Sequence, residues 1–374
     1  MGATQEFGRG LRGLIRLAGM PVRRARDRGG IAIQAYRGYG STETAFVIGR
    51  VFRQGSATPA QGPTDIRRHL RDMRRRLLRR PVRGAQVRGL LLGAEVTAVT
   101  DRDGYFRLHW RLDAPPPPSP WVEATLTLDG PQPLTARAEV YIAPPTARFA
   151  VISDIDDTVM RTGVANKLVT AWRLFVEDAE DRTAFPGVSA LYRALHGGAC
   201  GSEGNPMLYV SRAPWGLYEV LDEFFRRHDI PGGPILLLRE WGVSWRRPLP
   251  RRAEDHKHVL IQAILETYRH LPVVLIGDSG QHDPEIYRDI AARHAGRVLA
   301  IYIRDVSGPA SRARDRATLG AAVAAAGSEL VVAADTLVMA EHAARIGLIA
   351  PDTLAEVRRR QPEPDPAEAD PPST

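Results

Sequence analysis

Residues 149–158 read Phe-Ala-Val-Ile-Ser-Asp-Ile-Asp-Asp-Thr, and this stretch decides the fold around it. Phe149 to Ser153 form a short apolar run, the pattern of a strand buried on both faces. The run ends in Asp154, Asp156 and Asp157, with Thr158 behind them. Carboxylates crowded at a strand end repel each other unless a cation or protons neutralise them. In open α/β sheets the carboxyl end of the strands is where ligands bind. Mg²⁺ suits such a place, because it is a hard cation that prefers oxygen ligands and bridges to phosphate. Asp154 is then a candidate nucleophile that takes a phosphoryl group as an aspartyl-phosphate. Asp156 is a candidate general acid/base, protonating a leaving oxygen and later activating water. The plain alternative is an acidic turn after a strand, and the partners downstream decide between the two.

Downstream, apolar and amphipathic stretches alternate. Strands are expected at 149–153, 207–211, 235–239, 273–276, 298–303 and 330–334. Helices are expected at 164–180, 188–196, 217–228, 256–268, 284–294 and 312–326. This alternation predicts a doubly wound parallel sheet. The second strand ends in Ser211, followed by Arg212-Ala213-Pro214-Trp215. Ser211 is either a hydrogen-bond partner for a phosphoryl oxygen, with nearby amides, or a helix N-cap. The run Val273-Val-Leu-Ile-Gly-Asp-Ser-Gly-Gln-His-Asp283 is another buried strand entering a glycine turn. Asp278 is placed as a metal ligand, and Asp283 either holds a metal-bound water or caps the helix from Pro284. Lys257 sits near a helix start, where the dipole disfavours a cation, so it wants an anion. Asp154 is the candidate anion, and Lys257 would stabilise the transferring phosphoryl charge. His256, His258 and His282 lack helical metal-ligand spacing and are expected to be structural or to line the cleft.

Upstream the pattern differs. Residues 31–36, 44–52, 85–100, 105–112, 121–128 and 136–142 read as short strands between Gly-, Asp- and Pro-rich turns. That spacing predicts an antiparallel β-sandwich-like domain. Residues 64–80 read as an inserted helix with Thr64 as N-cap, an apolar stripe and a solvated arginine face. Leu11, Leu14, Ile15 and Ala18 share one helical face amid arginines. Such a segment lies on an anionic membrane surface, or it packs on its own domain or is disordered, and the latter pair is the expectation. The resulting organisation is a basic segment at 1–30, a β-sandwich-like domain with an inserted helix at 31–145, an α/β domain at 146–360, and a disordered Pro-rich acidic tail at 361–374.

Composition bounds the function. With 374 residues, 44% hydrophobic and 25% charged, the chain is globular in type. A net charge of +8 favours anionic partners. The arginine runs lack interleaved aromatics, so nucleic acid is not expected. Cys200 is the only cysteine. No intramolecular disulfide can form, which fits a cytoplasmic setting. No apolar run reaches membrane-spanning length. The N-terminus is a poor signal peptide, and Glu6 stands where a myristoylation site wants Ser or Thr.

Taken together, these pieces resemble the haloacid-dehalogenase (HAD) superfamily. Asp154-Ile155-Asp156-Asp157-Thr158 is similar to its first motif, the DxDxT pattern. Ser211 is similar to its second, Lys257 to its third, and Gly277-Asp278 with Asp283 to its fourth. More narrowly, Ile152 to Val159, Tyr209 to Trp215 and Gly277 to Tyr287 resemble the actin-patch-type phosphatidate phosphatase family. The resemblance implies Mg²⁺-dependent hydrolysis of phosphatidate to diacylglycerol at a cytoplasmic site peripheral to the membrane. It implies Asp154 as nucleophile, Asp156 as general acid/base and Lys257 as charge partner. Thr158, Ser211 and Arg212 would contact substrate, and Asp154, Asp156, Asp278 and Asp283 would serve the metal. Arg212-Ala213 stands where the family often has a polar-Ser pair, which bears on headgroup contacts more than on phosphoryl chemistry. Residues 161–206 replace a HAD cap, and Trp172 and Trp215 are candidate lipid contacts. The alternatives are the same chemistry on a soluble phosphate monoester and a non-catalytic module that binds anionic membranes.

Overall fold

Among the described residues, fifteen short strands gather into two sheets, one antiparallel for the most part and one wholly parallel. The structure, a computed structural model, describes residues 30–53, 80–113, 115–130, 133–155, 158, 186–238, 253–280, 282–306 and 313–360. The expected helices at 64–80 and 164–180, the basic N-terminal segment and the acidic tail lie outside the described residues.

The first sheet holds β1 (Ile31–Ala35), β2 (Gly38–Gly40), β3 (Thr44–Arg53), β4 (Arg80–Pro81), β5 (Gln86–Leu91), β6 (Ala94–Val99), β7 (Tyr105–Arg111), β8 (Trp121–Leu128) and β9 (Leu134–Ile142). Alternation drives it. In β5 every second residue is buried, and β9 follows the same pattern until its last residues. β3 pairs antiparallel with β1 and β7, and β9-β8-β5-β6 run antiparallel in that order. β2, which the sequence reading took for a turn, joins the two groups. It pairs antiparallel with β3 and parallel with β9. A side chain is excluded there, since a Cβ on Gly38 would meet the Phe46 carbonyl at 2.4 Å.

The second sheet holds β10 (Ala150–Asp154), β11 (Met207–Pro214), β12 (Ile235–Leu238), β13 (Val273–Asp278), β14 (Val298–Arg304) and β15 (Glu329–Ala333). All neighbours are parallel, in the order β12-β11-β10-β13-β14-β15. The chain steps outward from β10 to β12, then returns to lay β13 on the other side of β10. The strand order reverses between β10 and β13, where loops leave in opposite directions and a crevice opens.

Among the described residues, seven helices surround the sheet: α1 (Val188–Gly197), α2 (Tyr218–Arg227), α3 (Ala253–Thr267), α4 (Asp283–Arg293), α5 (Ala313–Ala325), α6 (Thr336–Arg345) and α7 (Leu354–Arg359). Successive strand residues point to opposite faces. Val151, Tyr209 and Tyr302 therefore share a core with α1, α2 and α6. Ile152, Leu208 and Ile301 share one with α3, α4 and α5. α6 and α7 were not expected from the sequence. Asp335 caps α6 by accepting from the Val338 amide at 3.0 Å.

The two sheets are packed into each other. Tyr36, Ile48 and Tyr105 of the first belong to the same core cluster as Trp215, Tyr218 and Phe224. The Arg37 amide donates to the Tyr218 hydroxyl at 2.9 Å. Its guanidinium donates to Glu139 at 3.1 Å, bonds Asp222, and lies over the Trp121 ring at 5.6 Å. Burial works against the Arg37 charge, but Tyr218, Asp222 and Glu139 outweigh it and hold the group above its ordinary value.

Trp110 is the largest fully buried side chain of the first sheet, and its Nε1 donates to the Gly89 carbonyl at 3.1 Å. Trp110→Ala is expected to cost about 3–5 kcal/mol. Urea unfolding followed by circular dichroism checks this, and a midpoint equal to wild type would contradict it.

Candidate active site

The crevice between β10 and β13 is lined by carboxylates because both strands end in aspartate. Asp154 closes β10 and is 1% exposed, and Asp278 closes β13 and is 0% exposed. Asp283 opens α4 five residues on and is also fully buried. Oxygens of Asp154, Asp278 and Asp283 all lie within 4.8 Å of one another.

Lys257, in the first turns of α3, is 4% exposed. Its Nζ donates to Asp154 Oδ1 at 2.8 Å and to Asp283 Oδ1 at 2.5 Å. Burial alone lowers a lysine's affinity for its proton, but the charges of Asp154 and Asp283 outweigh it and raise the Lys257 pKa. The ammonium also lies 5.5 Å from the Tyr287 ring centroid, a cation–π distance. The expected pairing of Lys257 with Asp154 is present, and Asp283 is a second partner that sequence reading did not assign.

Asp283 divides its oxygens. Oδ1 meets Lys257, and Oδ2 accepts weakly from the Asp278 amide at 3.4 Å. The N-cap of α4 is His282, with no side-chain capping bond, so the Asp283 carboxylate serves the crevice and not the helix end. Gly277 makes this approach feasible. A Cβ there would sit 2.4 Å from Asp283 Oδ2 and 2.8 Å from Asp283 Cβ. Asp278 Oδ1 accepts from the Gly280 amide at 2.6 Å, which curls the turn over the site.

Ser211 is 3% exposed, and its Oγ accepts from the Ala213 amide at 3.0 Å. It caps no helix. Between Ser211 and Pro214 the pairing with β12 skips, from Ser211 opposite Leu237 to Pro214 opposite Leu238. Such a bulge unhooks two residues from the ladder and re-aims the backbone. Thr158 is 1% exposed, and its buried Oγ1 has no hydrogen-bond partner. Asp156, Asp157 and the side chain of Arg212 lie outside the described residues.

The surrounding shell was less visible in the sequence. Ser153 Oγ, one residue before Asp154, shares a 2.6 Å hydrogen bond with the Tyr192 hydroxyl. Arg304, 3% exposed, donates to Thr336 Oγ1 at 2.9 Å, and that hydroxyl donates to the Pro186 carbonyl at 2.8 Å. A serine inside an apolar strand and an arginine closing one were the available signals. His258 and His282 line a cleft with Val259, Glu285, Ile286, Asp289 and Arg293, and the lining of that cleft includes none of Asp154, Lys257, Asp278 or Asp283. Trp215, expected as a lipid contact, is 4% exposed and packed between the two sheets. Tyr36 and Tyr105 cover it, and no hydropathy pattern could reveal that. Trp172 lies outside the described residues. Among the described residues, no helix is long and apolar enough to cross a membrane.

A parallel α/β sheet with buried carboxylates at its topological switch point has the layout of a ligand-binding crevice. Residues 149–305 match the family described as phosphatidate phosphatase APP1, catalytic domain. It is 31% identical over 165 residues to phosphatidate phosphatase APP1 of Saccharomyces cerevisiae, a match over 44% of this chain and 27% of that protein. An uncharacterized protein of Schizosaccharomyces pombe is 30% identical over 158 residues, 42% of this chain and 25% of its own. The chain thus matches about a quarter of the length of these curated relatives. Among solved structures, a carbohydrate acetylesterase from Xanthomonas citri aligns at 11% identity and TM-score 0.28, over 86% of this chain and 71% of its own.

Removing the one cation that Asp154 and Asp283 share leaves buried carboxylates facing each other. Lys257→Met is therefore expected to destabilise the fold by about 3–5 kcal/mol at neutral pH. Urea titration followed by tryptophan fluorescence reads this, and a loss under about 1 kcal/mol would contradict the pairing.

Proposed function

We propose that the chain is a Mg²⁺-dependent phosphatidate phosphatase with a HAD-like catalytic domain at 146–360, releasing phosphate through an aspartyl-phosphate on Asp154. The single observation that carries this reading is the buried Asp154–Lys257–Asp283 arrangement at the end of β10, with Asp278 beside it. The strand order, with the acidic strand central and the Ser211 and Asp278 strands on either side, supports it. So does the family of residues 149–305.

In this reading an Asp154 carboxylate oxygen attacks phosphorus. The bond from phosphorus to the glycerol oxygen breaks, and the leaving oxygen takes a proton from Asp156. Diacylglycerol departs. Asp156 then takes a proton from a water that attacks the same phosphorus, which frees phosphate and restores Asp154. Lys257 orients Asp154 and stabilises charge on the phosphoryl oxygens. Ser211 and the neighbouring amides of its bulge receive those oxygens, and Thr158 offers a hydroxyl with no other partner.

The residues fit a divalent cation. Lys257 brings one positive charge against the three buried carboxylates of Asp154, Asp278 and Asp283, and their all-oxygen character suits Mg²⁺. Asp156 would complete the set. When bound, Mg²⁺ offsets the negative charge of the phosphoryl group and orients it for in-line attack. A cytoplasmic site with peripheral contact to an anionic membrane follows from the lipid substrate.

The test is phosphate release from phosphatidate in mixed micelles and from a small aryl phosphate. Asp154→Asn is expected to lose ~10³-fold or more in kcat. Removal of Mg²⁺ by chelation is expected to abolish turnover, and added Mg²⁺ to restore it. Turnover of the aryl phosphate alone would move the substrate to soluble monoesters. Full activity in Asp154→Asn would remove the nucleophile assignment.

A further inference from the structure

We infer that Tyr36, from the antiparallel sheet, is a positioning residue for the Ser211 bulge, so that this sheet is a working part of the phosphatase site. The inference rests on the reading above, in which Ser211 and the bulge amides receive the phosphoryl oxygens.

Among the described residues, the bulge lies partly outside the ladder of its strand. Arg212 and Ala213 fall outside the β11–β12 register, and the Ala213 amide turns back to Ser211 Oγ. Its exit residue is anchored from the other sheet. Trp215 follows Pro214 directly and opens a single helical turn, Trp215–Leu217. Its indole is 4% exposed, and its buried Nε1 makes no hydrogen bond. Ring packing alone holds it. Tyr36 supplies the closest face, with centroids 4.3 Å apart, and Tyr105 lies at 6.3 Å. Tyr218 stacks at 6.2 Å and itself lies 4.7 Å from Tyr36.

Tyr36 is fixed from both sides. Its amide donates to the Ile48 carbonyl at 3.1 Å within the antiparallel sheet. The next residue, Arg37, binds the Tyr218 hydroxyl through its amide and bonds Asp222 through its guanidinium. Neither Tyr36 nor Tyr105 lies within residues 149–305, so the catalytic segment takes this wall from the sheet that precedes it. Loss of the Tyr36 ring frees the indole, and the bulge relaxes with it. The carboxylates are anchored separately, through Lys257 and the Gly280 turn.

That separation gives the test its signature. The full chain is compared as wild type, Tyr36→Ala and Tyr36→Phe. Calorimetry measures inorganic phosphate binding in Mg²⁺, and turnover is followed on phosphatidate and on an aryl phosphate. Tyr36→Ala is expected to bind phosphate ~10-fold more weakly and to lose kcat/KM to a similar extent on both substrates. The Mg²⁺ concentration for half-activation is expected to stay within about twofold of wild type. Tyr36→Phe, which keeps the ring, is expected to behave as wild type. Unchanged phosphate affinity in Tyr36→Ala overturns the inference, because lost activity then reflects only fewer folded molecules. Equal losses in Tyr36→Phe and Tyr36→Ala overturn it as well, since ring packing is then not the device. A wild type that hydrolyses neither substrate removes the functional reading, while phosphate calorimetry still decides the role of Tyr36. A wild type that binds no phosphate overturns both.

Discussion

The buried ion pairs from Lys257 to Asp154 and Asp283 are the interaction on which the rest of the structure depends. A charge taken out of water is costly unless it is paired and hydrogen-bonded. Lys257 meets both aspartates at hydrogen-bond distance, so three elements are tied at one point. They are the end of β10, the first turns of α3 and the start of α4. The tie needs α3 to approach the sheet with its N-terminal end over the crevice, against the preference of a helix dipole for anions there. The two carboxylates supply those anions. The glycine turn at Gly277 exists because any side chain would push Asp283 away from its place.

Much of this was legible in the sequence, for a physical reason. Strands buried on both faces must be apolar throughout, so 149–153 and 273–276 stood out, and carboxylates next to such runs have few structural excuses. The pairing of Lys257 with Asp154 followed from the cost of a lysine at a helix start. The contact from Lys257 to Asp283 did not. It depends on how far α4 is rotated, and the N-cap reading of Asp283 was equally consistent with the sequence. Ser211 was read as a strand-end hydroxyl or a cap, but the bulge that displaces it is a property of pairing with β12, which no local pattern encodes. Trp215 shows the same limit. An aromatic residue after a proline reads as exposed until the opposing surface is known, and that surface lies in another sheet.

The antiparallel sheet read in sequence as a unit without chemistry of its own. Several of its strands alternate buried apolar residues with exposed polar or charged ones. It nonetheless reaches into the core of the parallel sheet through Tyr36, Tyr39 and Tyr105. Arg37 adds a partly buried cluster with Asp222, Glu139 and Tyr218. Buried polar clusters of this kind tolerate little misalignment, because each unpaired group costs more than its pair contributes. The two sheets are thus held in one register with respect to each other.

The central claim is that Asp154 becomes covalently phosphorylated during turnover. The most direct measurement is an acid quench of enzyme with radiolabelled phosphatidate in the presence of Mg²⁺. Borohydride reduction and peptide mapping then follow. The account predicts label on the peptide carrying Asp154 and conversion of that residue to homoserine. Rapid phosphate release with no covalent label, or with label on another residue, would contradict it.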